Sequence, residues 1–113
     1  MKILDEPIAF DELKRIAAET FGDMIKAVVD VRQGLLALDA ELHSDLEALL
    51  IEKGSQQYDL WGINFYPDLE GEDFIEFDSM INMRPSQGNL SRSVDDETIR
   101  NEIIGIVAKW VKR

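Results

Sequence analysis

The chain has 113 residues, 45% hydrophobic and 31% charged, with 23 acids against 12 Lys and Arg and a formal charge of -11. This length fits one domain, residues 1–113, that buries about two-thirds of its unfolded surface, and the apolar content excludes a disordered chain. Without Cys there are no disulfides, thiolate metal sites or cysteine nucleophiles, and the acidity sets the chain against nucleic acid and anionic membranes.

No apolar run approaches the ~20 residues of a membrane span. The start, "MKILDEPIAFDE", is acidic and has no apolar signal region. A cytoplasmic location is therefore expected.

A first helix is predicted from Asp11. Phe10 staples its first turn, Leu13, Ile16, Ala17 and Thr20 form its stripe, and Gly22 stops it in the left-handed conformation. Two strands follow over 24–32 and 35–42, joined at Gln33-Gly34. A two-residue turn pairs Val31 with Leu36, Val29 with Leu38, Ala27 with Ala40 and Ile25 with Leu42 on one face. The other face receives Asp30, Val28 opposite Asp39, and Lys26 opposite Glu41.

Ser44-Asp45-Leu46-Glu47 reads as a capping box opening a second helix, which Gly54 closes. Strands over 60–66 and 74–84 then flank an acidic loop. Tyr66 opposite Phe74 places Phe65, Ile75, Ile63, Phe77 and Trp61 on one face. Asn64, Glu76, Gly62 and Asp78, then Met80, Asn82 and Arg84, fall on the other. A third helix runs from about Asp95 to the end, capped by Ser93 or Asp95, with a stripe of Ile99, Ile103, Ile106, Val107 and Trp110. Gly105 inside it suggests a close approach to the sheet.

The order α-β-β-α-β-β-α predicts an α+β fold: a two-layer sandwich, a four-stranded antiparallel sheet with helices on one face and a polar, open face on the other.

The most informative segment for function is 79–94, which has no acid in an acidic chain. Arg84 and Arg92 with Ser86, Gln87, Gly88, Asn89 and Ser91, leading into a helix start, form a candidate ligand-binding loop for a phosphate or carboxylate. The competing reading is a long connection tied down by its own side chains, its arginines paired to Glu76, Asp78 or Asp96.

Asp39, Glu76 and Asp78 share the polar face and are candidates for holding a divalent cation; a solvated or dimer-forming face is the favoured reading, because such faces are normally polar. His43, the sole histidine, is a candidate general base oriented by Glu41 or Asp39, or simply a strand-end residue. No GxSxG, Walker, HExxH or EF-hand pattern accompanies it. The aromatic residues fall on the core face, whereas Tyr66, Met80 and Val28 mark a contact surface.

The runs "FGDMIKAVVDV", "DLWGINFYP", "IEFDSMINMRPSQGN" and "SRSV" resemble a family of short bacterial and archaeal proteins catalogued as a domain of unknown function. The resemblance spans nearly the whole chain. It implies a self-contained small domain with no assigned activity, cofactor or catalytic residue, and the family's polar run falls on residues 84–92.

Two readings follow. One is a binding or interaction module that takes a small anionic ligand or protein partner at the arginine loop and forms a homodimer through the open sheet face. The other is a small metal-assisted hydrolase or phosphate-handling enzyme using the carboxylates, His43 and the two arginines.

Overall fold

β-branched and aliphatic residues at 25–30 and 60–65 favour extended chain. In the computed structural model, which describes residues 1–113, these become the central strands of the fold. In chain order the elements are β1 (Lys2–Ile3), β2 (Ile8–Ala9), α1 (Phe10–Glu19), β3 (Ile25–Asp30), β4 (Leu35–Leu38), α2 (His43–Glu52), β5 (Leu60–Phe65), β6 (Ile75–Glu76), α3 (Glu97–Trp110) and β7 (Val111–Lys112). The main sheet has five antiparallel strands in the order β1-β4-β3-β5-β6. A parallel pair, β2 and β7, joins Ile8 to Val111 and Ala9 to Lys112. The fold is thus α+β with three helices and an antiparallel sheet, but of five strands rather than four. Strands of two residues are too short to show an alternation.

The β3–β4 turn is longer than expected. Asp30 pairs with Leu35 and Val29 with Leu36, two residues away from the predicted register. A shift of two conserves the faces, so the sorting of side chains survives. The wider turn is built by the Asp30 carboxylate, which accepts from the Arg32 and Gln33 amides (both 2.9 Å), from Gln33 Nε2 (2.8 Å) and from Ser55 Oγ (2.6 Å). Asp30 is fully buried, with no cation among these partners. The β5–β6 register is as predicted, Asn64 opposite Glu76 and Phe65 opposite Ile75.

The main core lies on the odd-numbered face of β3 and β5. Leu13, Ile16 and Ala17 of α1 and Ile103 and Val107 of α3 pack there against Ala27, Val29, Leu36, Leu38, Ile63 and Phe65. The second face is not bare. α2 crosses it and buries Leu46 and Leu50 against Val28, Ala37 and Leu60. The expected arrangement with all helices on one face is corrected to three layers, because the second face carries its own apolar patch. No helix is long and apolar enough to cross a membrane.

Candidate functional site

β6 leaves the sheet after Glu76, where a strand to Arg84 was expected. A 3-10 turn over Met80–Asn82 replaces it. Side chains then complete the exposed edge of β5. The Asn82 carboxamide accepts from Gly62 N–H (2.8 Å) and donates to the Gly62 carbonyl (2.9 Å) and the Arg92 carbonyl (3.0 Å). Gly62 must lack a side chain here, since a Cβ would stand 2.6 Å from Ser79 Cβ.

Asn89 does the same work inside the loop. Its Nδ2 donates to the carbonyls of Asn82 (2.7 Å), Ser91 (3.1 Å) and Ser93 (2.8 Å), and its Oδ1 accepts from Asp95 N–H (2.8 Å). Asp95 accepts from Ser91 Oγ (2.6 Å) and the Leu90 amide (2.9 Å), while Asp96 caps α3 by accepting from Thr98 N–H (2.8 Å).

The predicted ligand loop is therefore held together largely by its own amides and hydroxyls. Arg84 is turned inward: its guanidinium donates to the carbonyls of Gln57 (2.6 Å) and Leu60 and lies 4.2 Å from the centre of the Trp61 ring. Burial lowers its pKa, and the nearby Glu47 and Asp59 act the other way. Burial also raises the Glu47 pKa, against the pull of Arg84. Ser86, Gln87 and Gly88 are exposed; Gln87 donates to the Tyr58 carbonyl (3.1 Å). Arg92 reaches back to β6 and pairs with Asp78 at 2.7 Å.

The break in β6 opens a cleft of about 400 Å³ on the second face of the sheet, lined by residues of β3, α2, β5, β6 and the following loop. His43, Asn64, Tyr66, Glu76, Asp78 and Arg92 meet there, beside Met24, Leu42 and Met80. His43 opens α2, and Leu42 precedes it with no side-chain cap. The predicted Ser44–Glu47 capping box is not formed, because the helix starts two residues earlier than that box requires.

The imidazole is buried, with Nε2 2.8 Å from the Ile63 carbonyl. A carbonyl only accepts, so Nε2 carries the hydrogen and Nδ1 keeps its lone pair. Burial lowers the pKa of the ring, Lys26 adds to that, and the Ile63 carbonyl, Asn64 and Asp78 oppose it. Glu76 accepts from Asn64 Nδ2 (2.8 Å) and Tyr66 OH (3.2 Å). Burial, then the Glu76 charge, raises the phenol pKa.

The proposed ion-holding trio does not assemble. Asp39 stands at the end of β4 with φ 73°, and its carboxylate is 3.7 Å from the Met1 amino group. Three strand spacings, roughly 14 Å, separate β4 from β6. No three His, Asp or Glu side chains are grouped closely enough to share a metal ion.

A family model described as a protein of unknown function, DUF5674, matches residues 2–110. The chain belongs to this family. The match covers the sheet, all three helices and every residue of the cleft. Neither the curated proteins nor the solved structures hold a match.

Of the residues singled out in the sequence, the structure brings His43, Glu76, Asp78 and Arg92 to the cleft of this DUF5674 chain and leaves Arg84, Ser86, Gln87, Gly88, Asn89, Ser91 and Asp39 outside its lining. Lys26 and Asn64 had been placed on the polar face by parity but not singled out as site residues. Leu42, expected on the core face opposite Ile25, and Met24, expected inside a strand, lie on the cleft instead, because β4 ends at Leu38 and β3 begins at Ile25 and the alternation stops there.

Proposed function

We propose that this protein is a small binding module whose ligand seat is the cleft beside the N-terminus of α2. One observation carries the reading: the end of β6 after two residues brings His43, Asn64, Glu76, Asp78 and Arg92 from four parts of the chain around about 400 Å³ of open space. Convergent polar groups with apolar neighbours are the usual make-up of a small-molecule site. The arginine loop serves this seat indirectly. Arg92 lines it, while Arg84 and Asn89 hold the loop that places Arg92. An anion clamp at Arg84 is not favoured, since its guanidinium is already committed to two carbonyls and an aromatic face. The metal-hydrolase reading is not favoured either, because Asp39 is remote from Glu76 and Asp78.

The test is a screen of small polar compounds by two-dimensional amide NMR. Binders should shift the resonances of Leu42, His43, Asn64 and Met80 together. Ser44→Trp, an exposed position on the cleft wall, should abolish those shifts while leaving the fold intact. If no compound moves that group of resonances, or if Ser44→Trp leaves the shifts unchanged, the cleft is not the seat.

A further inference from the structure

Within that cleft, and resting on that reading, the buried side-chain groups without partners are acceptors. Asn64 is only 5% exposed. Its Nδ2 donates to Glu76 Oε1 at 2.8 Å and to the Asp78 carbonyl at 3.1 Å. Both partners can only accept, so the amide cannot be turned round. Its Oδ1 therefore points away from them, buried, and with the neighbouring His43 ring neutral and its one N–H on Ile63, it receives no hydrogen bond. A buried acceptor without a donor is costly and uncommon in a folded domain.

Beside it His43 keeps Nδ1 as a second bare acceptor, because Nε2–H is spent on Ile63. Glu76 adds a carboxylate with one oxygen engaged. Neither cation of the lining donates to these acceptors. Lys26 Nζ stands 5.5 Å from the centre of the Phe21 ring, and Arg92 pairs with Asp78. What these acceptors lack is a donor that reaches them, and a charge of -11 favours a positive one. Leu42 and Met80, 55% and 63% exposed, supply apolar surface on the same lining.

We propose that the cleft binds a primary alkylammonium group, its N–H donors directed at Asn64 Oδ1, His43 Nδ1 and the Glu76 carboxylate and its chain lying along Leu42 and Met80. An ammonium has three donors and no acceptor, which matches three acceptors. Donors carrying a charge make the stronger hydrogen bonds.

Three probes with the same four-carbon chain isolate the head group: n-butylammonium, butyrate and 1-butanol, each titrated into the ¹⁵N-labelled full chain at neutral pH. The expected result is that n-butylammonium shifts the Asn64 side-chain amide and the His43 ring and binds ~10-fold more tightly than 1-butanol. Glu76→Gln, an exposed position that should not disturb folding, is expected to weaken n-butylammonium several-fold and leave 1-butanol unchanged. Butyrate binding in the cleft as tightly as n-butylammonium overturns the amine assignment but leaves the cleft as a ligand seat. Unchanged n-butylammonium affinity in Glu76→Gln does the same. If none of the three shifts a cleft resonance, the amine assignment falls, and the compound screen alone decides whether the cleft is a ligand seat.

Discussion

Asn82 stands in for a missing strand. One carboxamide supplies the donor and acceptor that a neighbouring backbone would have offered to Gly62. Asn82→Ala leaves the Gly62 N–H buried without a partner, which costs about 2–3 kcal/mol. Urea unfolding should show that loss, while Ser86→Ala on the exposed tip of the same loop should unfold like the parent; equal midpoints for the two variants would refute the strand-replacement role. The sequence marked this loop as unusual through its missing acids and its small polar residues. It could not show which way those residues turn. A guanidinium that seeks an anion and one that donates to the Gln57 and Leu60 carbonyls are spelled alike, since backbone acceptors leave no trace in the choice of residue. Asn82 and Asn89 carry the same ambiguity, because turns, caps and ligand sites all use asparagine. His43 and Glu76 were found by parity, which fixes the face of a strand residue but not the depth of the space above it.

At the level of elements, alternation proved robust and helix placement did not. The predicted β3–β4 register is off by two residues, yet Val29, Leu36 and Leu38 still face the main core, because side-chain direction repeats every second residue. α2 was assigned to the wrong layer. Its Leu46 and Leu50 stripe fits either face of a sheet, and the receiving patch of Val28, Ala37 and Leu60 was outweighed by neighbouring Asp, Lys and Glu. Those three fall on one face, with Ala37 opposite Val28, so the signal was present in the sequence. α3 gives the test at this scale. Gly105 was expected to touch the sheet, but a Cβ there would meet nothing within 4 Å, and the position is exposed helix. Gly105→Ala should therefore stabilise the protein by about 1 kcal/mol, a gain in helix propensity with no clash. A lower melting temperature would mean that α3 packs more closely than the structure indicates.

For the whole molecule, two buried groups contribute to the response to acid. His43 and Asp30 both have pKa values below their reference values of 6.5 and 3.8. For His43 the main cause is burial. For Asp30 burial works against ionisation, and the hydrogen bonds from Ser55, Gln33 and Arg32 outweigh it. In either case the unfolded chain takes up protons before the folded one, so stability falls as pH falls. The His43 contribution is complete above 6.5 and is lost below it, down to the folded pKa; the Asp30 contribution is complete above 3.8 and is lost further into acid. Urea midpoints taken stepwise through pH should decline in both windows. His43→Gln should remove the first decline and Asp30→Asn should reduce the second; an unaltered profile in His43→Gln would show that the ring does not carry that step. At the periphery, the pairing of Ile8 with Val111 brings together residues from near opposite limits of the chain. During synthesis on the ribosome, α1 and the sheet can assemble early, but this clasp stays open until residues 111 and 112 emerge. A released chain cut after Trp110 would keep the sheet and all three helices and yet stand unlatched.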